Sequence, residues 1–174
     1  MLISITLAQA QRRVYIGEED FQSKWVLGGG FGLSFSSYAS NIQLSPQLGY
    51  RITPAWESGI RVTYNFYSYR EDWLKFNTHH FGGGPYTNYA IYRGLFAHAE
   101  YELLSYERVF VNWAVREIEY RDRIVIHSVF AGAGYRQYFS PKSYASFLVL
   151  FNLNETFDSP YANPTIRIGF GIGL

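Results

Sequence analysis

The chain has 174 residues, 48% hydrophobic and 20% aromatic, with 15 basic and 14 acidic side chains and a net charge of +1. That length suits a single domain, and the balanced charge makes no electrostatic case for nucleic acid. The absence of cysteine excludes disulfides, thiolate metal sites, a cysteine nucleophile and a lipid anchor on cysteine.

Residues 2–7 form a short apolar run, and Ala8-Gln9-Ala10 has the small-x-small form of a signal-peptidase site. Residues 1–10 are therefore expected to be an export-signal remnant without its basic n-region, with the start lying further upstream. Residues 11–24 read as a polar segment, and residues 25–174 as the folded domain. No apolar run reaches the ~18 residues of a transmembrane helix.

Eight strands are expected from period-two alternation. The first, about 25–36, sets Trp25, Leu27 and Phe31 against Gly28, Gly30 and Gly32. The second, about 40–52, sets Ile42, Leu44, Leu48 and Tyr50 against Gln43, Ser45, Gln47 and Arg51. The third, about 56–69, sets Trp56, Ile60 and Val62 against Glu57, Arg61 and Thr63. The fourth, about 81–92, is weakened by three glycines and Pro85. The fifth, about 95–106, sets Leu95, Ala97 and Tyr101 against His98, Glu100 and Glu102. The last three cover about 124–138, 144–152 and 165–174. Thr53-Pro54-Ala55, Arg93-Gly94 and Ser140-Pro141-Lys142 read as tight turns. Residues 70–80, 107–123 and 153–163 read as long loops. Even strand number, strands of about ten residues and short turns opposite long loops describe an antiparallel up-and-down eight-stranded transmembrane β-barrel.

Alternation alone does not say which face points in. A lipocalin-like soluble barrel keeps its apolar face inward and a densely charged face outward. Here the polar face is rich in glycine and serine, and only three lysines occur, Lys24, Lys75 and Lys142, all read as tail, loop or turn. The expectation is an apolar face on lipid and a narrow polar lumen. Arg51, Glu57, Arg61, His98, Glu100, Glu102, Arg136 and Arg167 then point inward and must pair, either as a filling salt-bridge network or as a narrow ion path. Tyr50, Trp56 and Tyr135 would form an aromatic girdle at the turn side.

Other chemistry is weaker. His79, His80, Glu71, Asp72, His127 and Ser128 supply the parts of a nucleophile–base–acid set, without a Gly-x-Ser-x-Gly elbow. Adjacent His79 and His80 would point opposite ways along a strand, and four histidines show no ligand spacing. No catalytic residue, metal ligand or cofactor is expected. The glycine runs at 28–30 and 82–84 lack the lysine and the following helix of a phosphate loop. Phe110 and Trp113, in a loop more apolar than a free loop needs, would offer a contact for a partner, unless the adjoining strands continue and pack upon themselves.

The last octet, from Arg167 to Leu174, alternates without a break. It resembles the C-terminal assembly signal of outer-membrane barrels, with Arg167, Gly169, Ile172 and Leu174 in the matching places and Leu174 where phenylalanine is usual. The layout over about 25–174 resembles small eight-stranded barrels of the OmpA-transmembrane-domain and OmpX type. Phe96-Ala97-His98-Ala99-Glu100-Tyr101-Glu102 and Ser159-Pro160-Tyr161-Ala162-Asn163-Pro164 are similar to stretches of uncharacterised outer-membrane barrel proteins of Bacteroidota-type bacteria. The resemblance implies outer-membrane location with both termini periplasmic. It also implies contact with the lipid bilayer and with the barrel-assembly machinery during insertion. The function adopted is non-enzymatic: presentation of extracellular loops, or an accessory role beside a protein partner in an envelope complex. The alternatives are a lipid-modifying or hydrolytic outer-membrane enzyme and a soluble carrier of an apolar ligand.

Overall fold

The computed structural model describes residues 23–112, 115, 117–156, 159–161 and 163–174. Residues 1–22, and with them the expected export-signal remnant, lie outside the described residues, as does Trp113. Eight strands follow one another: β1 (Trp25–Phe35), β2 (Ala39–Arg51), β3 (Trp56–Glu71), β4 (Leu74–Tyr92), β5 (Leu95–Asn112), β6 (Glu117–Ser140), β7 (Ser143–Asn152) and β8 (Thr165–Gly173). Each pairs antiparallel with its neighbour in sequence, and β1 pairs with β8 to close the barrel. Closure removes the exposed sheet edges that an open sheet would present.

The two ends differ. At one rim the chain turns tightly between β2 and β3, β4 and β5, and β6 and β7. Arg93 (φ 44°) and Gly94 (φ 85°) both take left-handed conformations between β4 and β5. That two-residue geometry matches the right-handed twist of the strands it joins. The end of the chain lies at this turn rim too: Gly173 N donates to Lys142 O at 2.7 Å and Leu174 N to Trp25 O at 3.0 Å.

The opposite end is a tall crown. Two of the three expected long loops are strand instead. β3 and β4 run up to Glu71 and Leu74, pairing Arg70 with Lys75 on the way. β5 and β6 run up to Asn112 and Glu117. Lys75 therefore stands on a strand near a hairpin tip. β4, β5 and β6 hold 19, 18 and 24 residues against 10 in β7 and 9 in β8, so they rise well above that side of the barrel. In these extensions burial still alternates, with Leu74, Thr78 and His80 buried and Lys75, Asn77 and His79 exposed, but the outward residues are polar, so the apolar–polar contrast that marks a strand in sequence is lost. Among the described residues, those between Asn152 and Thr165 form the long non-strand connection.

The barrel is inside out relative to a soluble protein. Ile60, Ile168, Phe170, Ile172 and many like them are more than half exposed on the outer wall, whereas Glu57, Glu100 and Glu102 are 4% exposed or less. The interior is not uniformly polar, however. Phe96, Phe130, Leu148 and Leu150 form a buried apolar cluster on the β5–β7 side. Interior aromatics fit because glycine faces them. A Cβ on Gly171 would lie 2.2 Å from the Tyr144 ring, one on Gly134 2.6 Å from the Phe96 ring, and one on Gly49 2.5 Å from the Tyr86 hydroxyl. These packings fill the lumen that the small residues open.

Candidate functional site

The site is the lumen itself, built in three levels from the polar parity of the strands. Nearest the turn rim sits Glu57, at the foot of β3. Its Oε1 accepts from Tyr86 Oη and Asn88 Nδ2, both at 3.1 Å, and Arg136 Nη2 lies 3.1 Å from its Oε2. The Arg136 guanidinium is held between two rings, 4.6 Å from the Phe96 centroid and 4.7 Å from that of Tyr144. Arg51, also buried, stands opposite Glu57 in the β2–β3 register.

Glu100 of β5 organises the middle level. Arg61 Nη1 lies 2.8 Å from its Oε2. Arg167 Nη1 donates to both carboxylate oxygens, at 3.0 and 2.9 Å. His98 Nε2 is 3.1 Å from Oε2, and His98 Nδ1 is 2.6 Å from Asn88 Oδ1, so the ring links this level to the one below. Gln47 Oε1 accepts from Arg61 Nε at 3.2 Å and Nη2 at 2.7 Å. The Arg167 guanidinium lies over the Phe130 ring at 4.8 Å. Cations packed on ring faces explain why an apolar cluster can adjoin this network.

At the third level Glu102, fully buried, accepts from Thr63 Oγ1 at 2.6 Å and from Tyr161 Oη. Tyr161 belongs to the 153–164 connection, which folds its ring edge onto Phe130 at 5.1 Å. Asparagines hold that connection: Asn163 Nδ2 donates to Asn152 O, and Asn154 Nδ2 to His127 O, both at 3.2 Å. A buried carboxylate without partners would cost several kcal/mol, on the order of 3–5. Each of these three has at least two.

All eight inward charges expected from the sequence face the lumen. The described structure brings Arg61, His98, Glu100 and Arg167 together, and pairs Glu57 with Arg136. Glu102 stands apart with neutral donors. Sequence reasoning missed Gln47, Thr63, Tyr86, Asn88 and Tyr161. Gln47 and Thr63 fall on the polar face of the alternation, which assigns them no partner. Tyr86 and Asn88 lie on the glycine-broken strand that yielded no register, and nothing local places a loop tyrosine inside a barrel.

The other candidates lie elsewhere. Tyr50, Trp56 and Tyr135 are exposed on the outer wall at the turn rim, with Trp25 edge-on to Tyr50 at 5.0 Å. Ile172 and Leu174 are exposed, while Gly169 is buried. Phe110 stacks on Tyr120 at 4.3 Å across the β5–β6 hairpin, so this aromatic is engaged by its own hairpin. His79 and His127 are exposed and bond outward tyrosines, Tyr64 at 2.9 Å and Tyr101 at 2.7 Å. His80 and Ser128 are buried on the inner face. Thr78 and Tyr106, not a serine, flank His80, at 3.0 Å and in a 4.4 Å ring stack.

In the crown, Glu107 gathers Arg121 Nη1 at 3.2 Å and Arg123 Nη2 at 3.3 Å, and Arg108 Nη2 lies 2.5 Å from Asp122 Oδ2. Arg121 Nη1 also donates to Asn77 O at 3.1 Å, fastening β6 to β4 across the top of β5.

These features define a closed, eight-stranded, up-and-down β-barrel with an apolar exterior and an ion-paired interior. No family model matches the chain, and no curated protein does either. Among solved structures it is similar to the N-terminal β-barrel domain of Pseudomonas aeruginosa OprF, with a TM-score of 0.48 and 15% identity, covering 87% of this chain and 98% of that one.

Proposed function

We propose that this protein is an integral outer-membrane barrel with its turn rim and both chain ends in the periplasm. Its lumen is a structural plug, and its working surface is the crown. The observation that carries this reading is the reversed polarity: alkyl and aromatic side chains cover the wall while arginines and glutamates are enclosed. Water does not tolerate so continuous an apolar exterior on a monomer, and hydrocarbon requires it. Trp25, Tyr50, Trp56 and Tyr135 suit the inner interface, and the Tyr64–His79 and Tyr101–His127 pairs suit the outer one. Arg167, Gly169, Ile172 and Leu174 would serve as the signal read by the assembly machinery.

The role we assign is non-enzymatic. The β5–β6 hairpin and its ion pairs form a stiff platform suited to a protein partner in an envelope complex. The three lysines give a direct test. Lys75 is exposed in the crown, and Lys24 and Lys142 at the turn rim. On intact cells a membrane-impermeant amine reagent should modify Lys75 and spare the other two, and the protein should resist alkaline extraction and migrate differently before and after boiling. Solubility without detergent, or labelling of Lys142 with Lys75 spared, would overturn the reading.

A further inference from the structure

The seam between β1 and β8 is the weakest line in the wall. Their ladder holds five pairs, from Val26↔Gly173 to Gly30↔Gly169, whereas β1 and β2 share eleven. Above it, residues 31–35 pair with β2 alone and residues 166–168 with β7 alone. Ile168 lies six positions before Leu174, or roughly 15 Å of membrane depth at ordinary strand rise and tilt. The break thus falls within the apolar belt, where an incomplete ladder is costly unless polar groups fill it.

A cavity of about 90 Å³ lies behind the break. Its lining includes Phe31, Ile166 and Ile168, which are exposed on the outer wall, and the inward-facing Gln47, Arg61 and Arg167. Arg61 and Arg167 line it without any carboxylate among the described residues of the lining. Arg136 also borders the cavity, and neither its Nε nor that of Arg167 has a hydrogen-bond acceptor among the described residues.

We propose that this break is a lateral entry for an anionic amphiphile, a lipid whose negatively charged head reaches Arg61 and Arg167 while its chain stays in the bilayer against Phe31, Ile166 and Ile168. The head supplies acceptors to a cavity that arginines line without a carboxylate among the described residues. The apolar lips explain entry from the side rather than through the crown, where Tyr161 covers Glu102. This inference rests on the membrane reading above.

Two variants test it without dismantling the Glu100 cluster. Gln47→Glu replaces the neutral amide oxygen that Arg61 binds with a carboxylate, and so supplies the negative charge that the head would bring. Gly32→Leu fills the cavity from a position where a Cβ meets nothing nearer than Gln43 Cβ at 3.6 Å. Each protein, refolded in micelles and checked for heat-modifiable migration, is offered equimolar dioleoyl phosphatidylglycerol and dioleoyl phosphatidylcholine, and retention is read by native mass spectrometry. Parallel samples receive inorganic phosphate or glycerophosphoglycerol, the head without its chains. The wild type should retain the anionic lipid about tenfold over the zwitterionic one, the effect of one charge-assisted contact. Both variants should lose that preference, and the chainless anions should not compete. Equal retention by the wild type, an undiminished preference in both variants, or competition by the chainless anions would overturn the lateral entry. Loss of heat-modifiable migration in the wild type would instead refute the membrane barrel.

Discussion

Glu100 holds more of the lumen together than any other side chain, so its replacement by glutamine is the most informative single change. Glu100→Gln keeps the shape and removes the charge. Three groups lose their anionic partner at once: Arg61 at 2.8 Å, Arg167 at 2.9 Å and His98 at 3.1 Å. Removing one member of a buried ion pair costs about 3–5 kcal/mol, because a charge is left uncompensated away from water. The amide oxygen can still accept one bond from a guanidinium, which returns about 1 kcal/mol. The expected loss is therefore about 2–4 kcal/mol, measured by urea unfolding in lipid vesicles with tryptophan emission as the signal. A double-mutant cycle with Arg167→Met sharpens the test. Once the charge of Arg167 is gone, loss of Glu100 should cost less, with a coupling of about 1–3 kcal/mol. A loss under ~1 kcal/mol, or strictly additive effects, would show that the lumen is hydrated enough to screen the pairs and would refute the plug.

Gly171→Ala should destabilise by about 1–3 kcal/mol, because its methyl would press into the buried Tyr144 ring; the companion change Tyr144→Leu should recover part of that loss in the same unfolding assay. Tyr161→Phe removes a donor to buried Glu102 and should cost about 1.5–3 kcal/mol, seen as faster amide exchange over residues 153–161. The crown should loosen in acid. The hydrogen bond from Arg108 holds the Asp122 carboxyl below its ordinary range, against a smaller upward push from burial. For Glu107, burial pushes upward, but the bonds from Arg121 and the His79 amide outweigh it and lower the value. Carboxyls depressed in the folded state stabilise it fully above their unfolded values near ~4. That stabilisation disappears as pH falls through the lower folded values. Amide exchange over residues 107–112 and 117–123, corrected for its intrinsic pH dependence, should accelerate below about pH 4 and stay level from 5 to 8.

How much of this was legible beforehand follows from one physical contrast. Where a strand separates the apolar outer wall from the lumen, every second residue is bulky and apolar, as in the run Ile166, Ile168, Phe170, Ile172, and the strand can be read directly. Where the strand continues into the crown, as at Lys75 or Arg121, the outward residues are polar while Leu74, Thr78 and His80 stay buried, so the contrast fades in sequence and the hairpin resembles a loop. Pairings inside the lumen were legible only as a requirement. That Arg61 and Arg167 converge on Glu100, while Glu102 takes a threonine and a loop tyrosine, depends on register between strands far apart in sequence. Phe96 and Phe130 contradict a purely polar interior, since they share parity with His98 and Ser128. They are stabilised inside by the guanidiniums of Arg136 and Arg167 that lie over them.

Site-directed spin labelling along β8 reaches the governing premise most directly, because the chain has no native cysteine to mask the signal. Single cysteines at positions 166 to 172, labelled in lipid vesicles, should alternate. Labels at 166, 168, 170 and 172 should be relaxed strongly by oxygen dissolved in hydrocarbon, and labels at 167, 169 and 171 should be shielded. Relaxation of the even-numbered series by a water-soluble nickel complex, with oxygen favouring the odd series, would mean that the wall faces water and the barrel does not sit in a membrane.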